Sequence, residues 1–450
     1  MTDTVKIGPV ERADRIEVID VMRGVAILGI LHLNMPLALN PAFEVFSDIR
    51  IIGWGPLDQW AWMGQHIFTE GTMRGLLQLL LGVGLMLLAS KAMSAKGPVG
   101  VADVWYRRNL WLLVFGAFNG MVLLWPGDIL FPYALAAIFI FPFRLLRARW
   151  LFAIGLAFLA WTVIAGVQKY EEAADFVAGV EEARVVEQAG EELSQTQSAA
   201  LAEWDRRLVE QNGNPFFAKE SPRLRKAQAE PLSYIEKFSQ EWFGLFKVGQ
   251  IQEWVIYSFF IMLIGMALYK VGFVQGALST RLYLAVMVSG YAFGWGIRYW
   301  EAQALLTFEP LPNPADPFGD IPRLAIAIAH IALVNVLMRT RAARALGASL
   351  GAVGKIAFTI YLTQSFILTY IVAAPWGLSL YGDVGWFQVV WMSALIMALQ
   401  TVLAMWWLSR FRFGPLEWLW RSLTHWQRQP MRLSQDERVQ PAGYGPQAAE

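Results

Sequence analysis

Apolar positions along the chain gather into runs of nearly bilayer-spanning length, separated by short stretches of charge, proline and glycine. The runs fall at 18–39, 70–90, 109–124, 129–146, 150–167, 251–273, 282–300, 321–338, 356–374 and 386–409. This pattern predicts an all-α polytopic membrane protein of about ten transmembrane helices. The third and fourth runs join through the turn WPGD, and the second is polar in its first turns. Residues 168–249 depart from the pattern. They open QKYEEAADFVAGVEEARVVEQAGEEL, an Ala- and Glu-rich composition that favours solvated helix, and continue NGNPFFAKESPRLRKAQAEP, whose Asn-Gly and Pro mark turns. The expected organisation is a membrane half over 1–167, a polar insert over 168–249, a second membrane half over 250–410 and a tail over 411–450.

Charge then suggests an orientation. Lys91, Lys96, Arg107 and Arg108 follow the second run, and Arg144, Arg147 and Arg149 the fourth. Lys270 and Arg281 flank the connection after the sixth, Arg339, Arg341, Arg344 and Lys355 follow the eighth, and Arg410, Arg412, Arg421 and Arg428 lie in the tail. The connection EAQALLTFEPLPNPADPFGD carries Glu301, Glu309, Asp316 and Asp320 but no basic residue. Basic connections thus alternate, always on one side, and cytoplasmic loops are the ones enriched in Lys and Arg. Both termini are expected on the cytoplasmic side of an inner membrane, with the insert opposite. The opening residues lack the apolar core and cleavage site of a signal peptide, so the first run is expected to remain as an anchor.

Composition agrees. The 450 residues are 56% hydrophobic and 16% charged, against roughly 25% charged in a soluble domain. The 21 tryptophans suit interfacial belts. A balance of 37 Lys+Arg against 36 Asp+Glu gives no sign of a nucleic-acid partner. With no cysteine, disulfides and thiolate nucleophiles are excluded, and four scattered histidines offer no metal-ligand spacing, so no metal is expected. No phosphate-binding glycine-rich loop or HExxH motif is present.

Polar groups inside the apolar runs carry the candidate chemistry, because charges at membrane depth are usually paired or functional. In VIDVMRGVAILGILHLNM, with Asp20 at zero on a helical wheel, Arg23 falls at about 300° and Asn34 at about 320°, whereas His32 points elsewhere at about 120°. Asp20 and Arg23, three apart, can pair with each other, or the stripe can line a cavity with Arg23 offered to an anion. In QHIFTEGTMRGLLQ, His66, Glu70, Arg74 and Gln78 recur every four residues along one helix face. That spacing lets Glu70 orient the His66 ring and pair with Arg74, the makings of a proton-transfer site or of an ordinary ion-pair stripe. Asp128 is placed to cap the helix after WPGD, with Asn119 in the preceding run. In GKIAFTIYLTQS, Lys355, Thr359 and Thr363 share one spacing and Tyr361 and Ser365 another face, beside Gln364.

Five segments carry a family resemblance. RIEVIDVMRGVAILGILHLN, TMRGLLQLLLGVG, LLWPGDILFPYAL, GKIAFTIYLTQS and FRFGPLEWLWRSLTH resemble, in family order, the motifs of the YeiB-like bacterial membrane proteins. The chain departs from that pattern at Asn119, where a histidine is usual, and at Lys355 and Ile360, where Arg and Asn are usual. The first run, with Asp20, Arg23, Gly24 and Asn34, is similar to the D-x-x-R-G opening of transmembrane acyltransferases such as the heparan-alpha-glucosaminide N-acetyltransferase group. This wider resemblance implies transfer of an acyl group from cytoplasmic acyl-CoA to an acceptor on the far side. In that superfamily a membrane-embedded histidine acts as base or transient acyl carrier, for which the resemblance implies His66, and the four-residue spacing adds Glu70 as its catalytic partner. Asp20, Arg23, Asn34, Arg74, Asn119, Asp128, Lys355, Tyr361, Gln364 and Ser365 are the candidate substrate-binding groups. Membrane lipid and a small-molecule substrate are the expected partners, and a homodimer is left open. The alternative is a transporter for a small anion or metabolite, with Gly82 and Gly84 permitting a discontinuous helix.

Overall fold

The computed structural model describes residues 16–46, 48–92, 98–212, 230–247 and 249–433; Lys96 and most of the NGNPFFAKESPRLRKAQAEP connection lie outside them. In chain order the helices are α1 (Glu17–Leu39), α2 (Ala42–Phe46), α3 (Pro56–Gly64), α4 (Thr72–Ala92), α5 (Pro98–Met121), α6 (Leu130–Ile140), α7 (Ala148–Gln188) and α8 (Gln195–Gln211). They continue with α9 (Pro231–Lys247), α10 (Gln250–Lys270), α11 (Thr280–Leu305), α12 (Ile321–Met338), α13 (Arg341–Lys355), α14 (Ala357–Phe366), α15 (Trp386–Leu408) and α16 (Pro415–His425).

Helix occupies every expected apolar run, and the protein is an all-α polytopic membrane protein. Among the described helices, six are long and apolar enough to cross a membrane, or seven if the pair α13 and α14, bent by 72°, is one span. The others depart for visible reasons. α6 is short, and α5 and α11 are diluted by Asp103, Arg107 and Arg108 and by Arg298 and Glu301.

Small residues let the central helices touch backbone to backbone, the usual way membrane helices gain van der Waals contact. A Cβ on Gly24 of α1 would meet the Leu350 carbonyl oxygen of α13 at 2.0 Å, and one on Gly354 would meet the Asp20 carbonyl oxygen at 1.7 Å. Between α4 and α10 the same relation joins Gly82 to the Met262 carbonyl oxygen at 2.0 Å and Gly265 to that of Leu79 at 2.1 Å. The discontinuity anticipated at Gly82 and Gly84 is therefore absent: α4 runs unbroken through both, and Gly82 serves close packing.

α7 spans 41 residues, about 60 Å at helical rise, and passes residue 167 without interruption into the polar insert. α8 folds back on it, with Trp204 stacked on Phe176 at 6.3 Å and Arg207 over the Phe176 ring at 4.1 Å. The end of α8 is tied down by Asn212, which donates to the Phe308 carbonyl at 2.8 Å and accepts from Arg50 at 2.7 Å. α9 lies across the bundle, its Tyr234 hydroxyl donating to the Thr369 carbonyl at 2.6 Å.

The bend between α13 and α14 is held from the tail. Glu417 of α16 accepts the Phe358 and Thr359 amide N–H groups at 2.7 and 3.0 Å, and the Thr359 hydroxyl as well. A distant carboxylate thereby satisfies the first turn of α14. Burial pushes the Glu417 carboxyl above its ordinary range, against the pull of those hydrogen bonds.

Candidate functional site

The expected single helical stripe from His66 to Gln78 is broken in the structure. α3 passes into a π-helical turn over Gln65–Thr69, Glu70 is extended, and Gly71 takes φ +76 before α4 begins. Gly71 is required twice, by that left-handed φ and because a Cβ there would meet the Arg323 Cδ at 2.5 Å. The wider π turn leaves the His66 carbonyl free to accept two N–H groups of Arg298, at 3.2 and 2.7 Å.

An ion network grows from this turn. His66 Nδ1 lies 2.9 Å from Glu70 Oε2, the contact its spacing anticipated. Its ring stacks on Trp62 at 5.0 Å, and Nε2 lies 3.5 Å from Glu301 Oε2 without a hydrogen-bond partner. Arg298, only 1% exposed, donates to both Glu70 and Glu301. Asn313 donates to the other oxygen of Glu301 at 3.2 Å, and Arg323 lies 3.8 Å from Glu70 and 3.9 Å from Glu301. Glu70 thus pairs with Arg298 and Arg323; the anticipated Glu70–Arg74 pair does not form.

Beside the network is a cavity of about 260 Å³, walled by Glu70, Gly71, Arg74 and Gln78, by Ile129 and Tyr133, by Trp254 and Tyr257, and by Asp320 and Arg323. Gly29, at mid-length of α1, faces Met73, which sets neighbouring Arg74 about halfway along the bundle. Among the described residues the Arg74 guanidinium makes no hydrogen bond or salt bridge. Gln78 donates to Ser258 at 2.8 Å, which leaves its carbonyl oxygen without a partner, and the buried Tyr133 hydroxyl has none either. Burial pushes the Asp320 carboxyl up, against the pull of Arg323 and Arg74. Three arginines (74, 298, 323) face three carboxylates (70, 301, 320), so the site is balanced in formal charge yet keeps free donors and acceptors.

A second polar group adjoins it through Tyr133, which lies within electrostatic reach of both Arg74 and Asp128. Asn119 donates to Asp128 Oδ1 at 2.8 Å, and Asp128 Oδ2 accepts the Phe131 N–H at 2.8 Å, capping α6 as expected. The Tyr361 oxygen accepts the Ile129 N–H at 3.2 Å. Buried Asp128 is pushed up to about 7 by desolvation, opposed by these hydrogen bonds.

The remaining candidates lie apart from the cavity. Asp20 and Arg23 pair with each other at 3.3 Å near the start of α1. Asn34 is half-buried on α1, and Lys355 ends α13 at the bend. Gln364 donates to Gln400 at 3.0 Å and to the Ile27 carbonyl at 3.3 Å, and Ser365 is buried on α14. Arg298, Glu301, Arg323 and Tyr133 were not singled out from the sequence. Arg298 and Arg323, each a cation inside an apolar run, were the available signal.

Residues 268–427 match the family described as "Protein of unknown function (DUF418)". YxaH of Bacillus subtilis is 28% identical over 93% of this chain and 96% of its own length. YeiB of Escherichia coli is 25% identical over 90% and 95%. A 39.9 kDa protein from the amylase 3' region of Bacillus acidopullulyticus is 21% identical over 95% and 99%. No solved structure matches the chain. The matched region supplies Arg298, Glu301, Asp320 and Arg323 to the site, and the stretch before it supplies His66, Glu70, Arg74 and Tyr133. The similarity to these relatives runs over nearly the whole chain, so the resemblance to the YeiB-like proteins carried by the five motifs is not confined to one region, and the protein is a multi-pass membrane protein.

Proposed function

We propose that the cavity is the reaction site of an acyltransferase, with acyl-CoA as donor from the cytoplasmic side of an inner membrane and an extracytoplasmic acceptor. One observation carries this reading: a carboxylate backed by a histidine shares a mid-bundle cavity with unpaired hydrogen-bond donors. In the proposed step the acceptor's hydroxyl or amine forms the new bond to the thioester carbonyl carbon. The carbon–sulfur bond breaks, and the acceptor's proton passes by way of Glu70 to the departing thiolate, with His66 orienting Glu70. Arg74 and the Tyr133 hydroxyl are the donors available to the developing oxyanion. A balanced set of fixed charges suits this chemistry, since charge appears and vanishes in the cavity without a permanent counterion.

The bent span of α13 and α14 is the observation that would favour a transporter, because broken helices commonly aim free amides at a substrate. Here Glu417 already takes the Phe358 and Thr359 amides, so acyl transfer is the better supported reading.

The chain has no cysteine and adds no thiol of its own, so the rise in thiol over an otherwise identical mixture lacking the protein reports released CoA. Acetyl-CoA incubated with purified protein and a detergent-solubilised membrane extract should release thiol, and Arg74→Gln and Glu70→Gln should each lower the rate at least tenfold. Absence of both thiol release and thermal stabilisation by acetyl-CoA in the wild-type protein, with counterflow of a metabolite in proteoliposomes, would overturn the reading.

A further inference from the structure

An apolar groove of about 490 Å³ runs between α7 and α10 on the outer surface of the bundle, lined by Ile154, Ala157, Phe158, Trp161, Ile256 and Phe260. Its floor is the stack of Phe158 on Phe260 at 4.3 Å, and Trp161 and Ile256, 61% and 51% exposed, form its sides. Two glycines pin α7 at either end of this stretch. A Cβ on Gly155 would meet the Ile264 Cγ1 at 2.4 Å, and one on Gly166 would meet the Asp316 carbonyl oxygen at 1.8 Å.

The groove adjoins the reaction cavity. The Phe158 ring stands 6.1 Å from that of Tyr257, which walls the cavity. One turn further along α7, the Thr162 hydroxyl oxygen accepts the N–H of Asp320, another cavity wall, at 3.5 Å. Polar groups gather at this end of the groove, the end nearer the insert. Asp320 and Arg323 are 3.8 Å apart and both partly exposed, and beyond them Lys169 pairs with Asp316 at 3.1 Å. An amphiphile with its head at Asp320 and its chain directed past Phe158 toward Ile154 fills both spaces at once.

An apolar groove does not select a hydrocarbon chain by itself, because the surrounding lipid solvates that chain equally well. Selection has to come from the polar end. There the three arginines and three carboxylates of the site balance in formal charge, so a headgroup without net charge enters with no uncompensated ion left at membrane depth. We propose that the acceptor is a membrane lipid of no net charge, its chain in the α7–α10 groove and its headgroup amine or hydroxyl in the cavity beside Tyr257. This rests on the acyl-transfer reading of the cavity and names its acceptor class. The headgroup nitrogen or oxygen bonds to the thioester carbonyl carbon, the carbon–sulfur bond breaks, and CoA leaves as the thiol with the headgroup's proton.

The test uses the full chain in phosphatidylcholine nanodiscs containing phosphatidylethanolamine with a diazirine on its acyl chain. Irradiation adducts are mapped by mass spectrometry, and transfer from radiolabelled acetyl-CoA is followed in parallel to phosphatidylethanolamine and to dissolved glucosamine. Adducts on residues 154–161 and 256–260 should exceed severalfold those on exposed Trp391, Leu395 and Leu399 of α15. Ala157→Trp, which fills the groove, and Asp320→Asn, which alters its polar end, should each lower the groove adducts severalfold. Acetyl label should enter the lipid, and Ala157→Trp should suppress that transfer while thermal stabilisation by acetyl-CoA persists. Equal labelling of α7, α10 and α15, or labelling indifferent to both substitutions, overturns the proposal whether or not acetyl-CoA binds. Transfer to glucosamine but not to lipid overturns it while leaving acyl transfer standing. Groove labelling without thiol release or acetyl-CoA stabilisation marks the acyl-transfer reading as the part that fails, and the acceptor assignment falls with it.

Discussion

Replacing Arg298 by leucine should unfasten the network that shapes the cavity wall. The side chain is 1% exposed, holds the His66 carbonyl with two N–H groups and neutralises Glu70 and Glu301. Without it, Arg323 at 3.8 and 3.9 Å is left facing both carboxylates, and the His66 carbonyl loses its donors. Removing one partner of a buried ion pair costs about 3–5 kcal/mol. An orphaned carbonyl adds roughly 1–3 kcal/mol. Glu70 is 36% exposed, and water there recovers part of the loss, so a net cost of about 3–5 kcal/mol is expected for Arg298→Leu. Glu301→Leu should be costly in the same way, because it leaves Arg298 with one carboxylate fewer. The double variant Arg298→Leu/Glu301→Leu should cost clearly less than the sum of the singles, since it removes charge from both sides. Equilibrium unfolding in mixed micelles of rising SDS fraction measures each free energy. Strict additivity, or a cost below about 1 kcal/mol for Arg298→Leu, would refute the assignment of Arg298 as the centre of a coupled network.

Two further outcomes follow from the packing and the charge. The native state keeps the Asp128 proton up to about 7 while the unfolded chain releases it near 3.8, so stability should decline as pH rises between those values and level off above. The span of roughly three pH units sets an upper bound of about 4 kcal/mol, and Asp128→Asn should flatten the slope of unfolding free energy against pH. Gly354→Val should lower the unfolding midpoint sharply, because its Cβ would stand 1.7 Å from the Asp20 carbonyl oxygen, whereas Gly84→Ala, with nothing within 4 Å, should leave it unchanged or raise it.

Periodicity was informative wherever one helix decided the matter. The run at 321–338 coincides with α12, and the run at 18–39 begins one residue inside α1. The Asp20–Arg23 and His66–Glu70 contacts, three and four residues apart, were legible for the same reason. The His66–Glu70 spacing survived even though the turn between them is π-helical. What could not be read was set by partners remote in sequence. Arg298 reaches His66 across 232 positions, and Tyr361 meets Ile129 across 232. Glu301 and Asp320 looked like members of an acidic connection, and only the fold turns them toward the arginines of three helices. Gly71 was not singled out from the sequence, yet its left-handed φ breaks the stripe on which Arg74 had been placed.

The carboxylate clasping the first turn of α14 lies 59 positions beyond the amide it receives. During synthesis the bent segment therefore enters the membrane with two peptide groups awaiting a partner the ribosome has yet to make. Its final angle is set only when the amphipathic helix behind the last long span swings up beneath it. The order of translation thus makes that corner one of the last joints of the molecule to close, and any extension spliced between Leu408 and Glu417 would act on the angle at which α14 leaves α13 beside the first turn of α1.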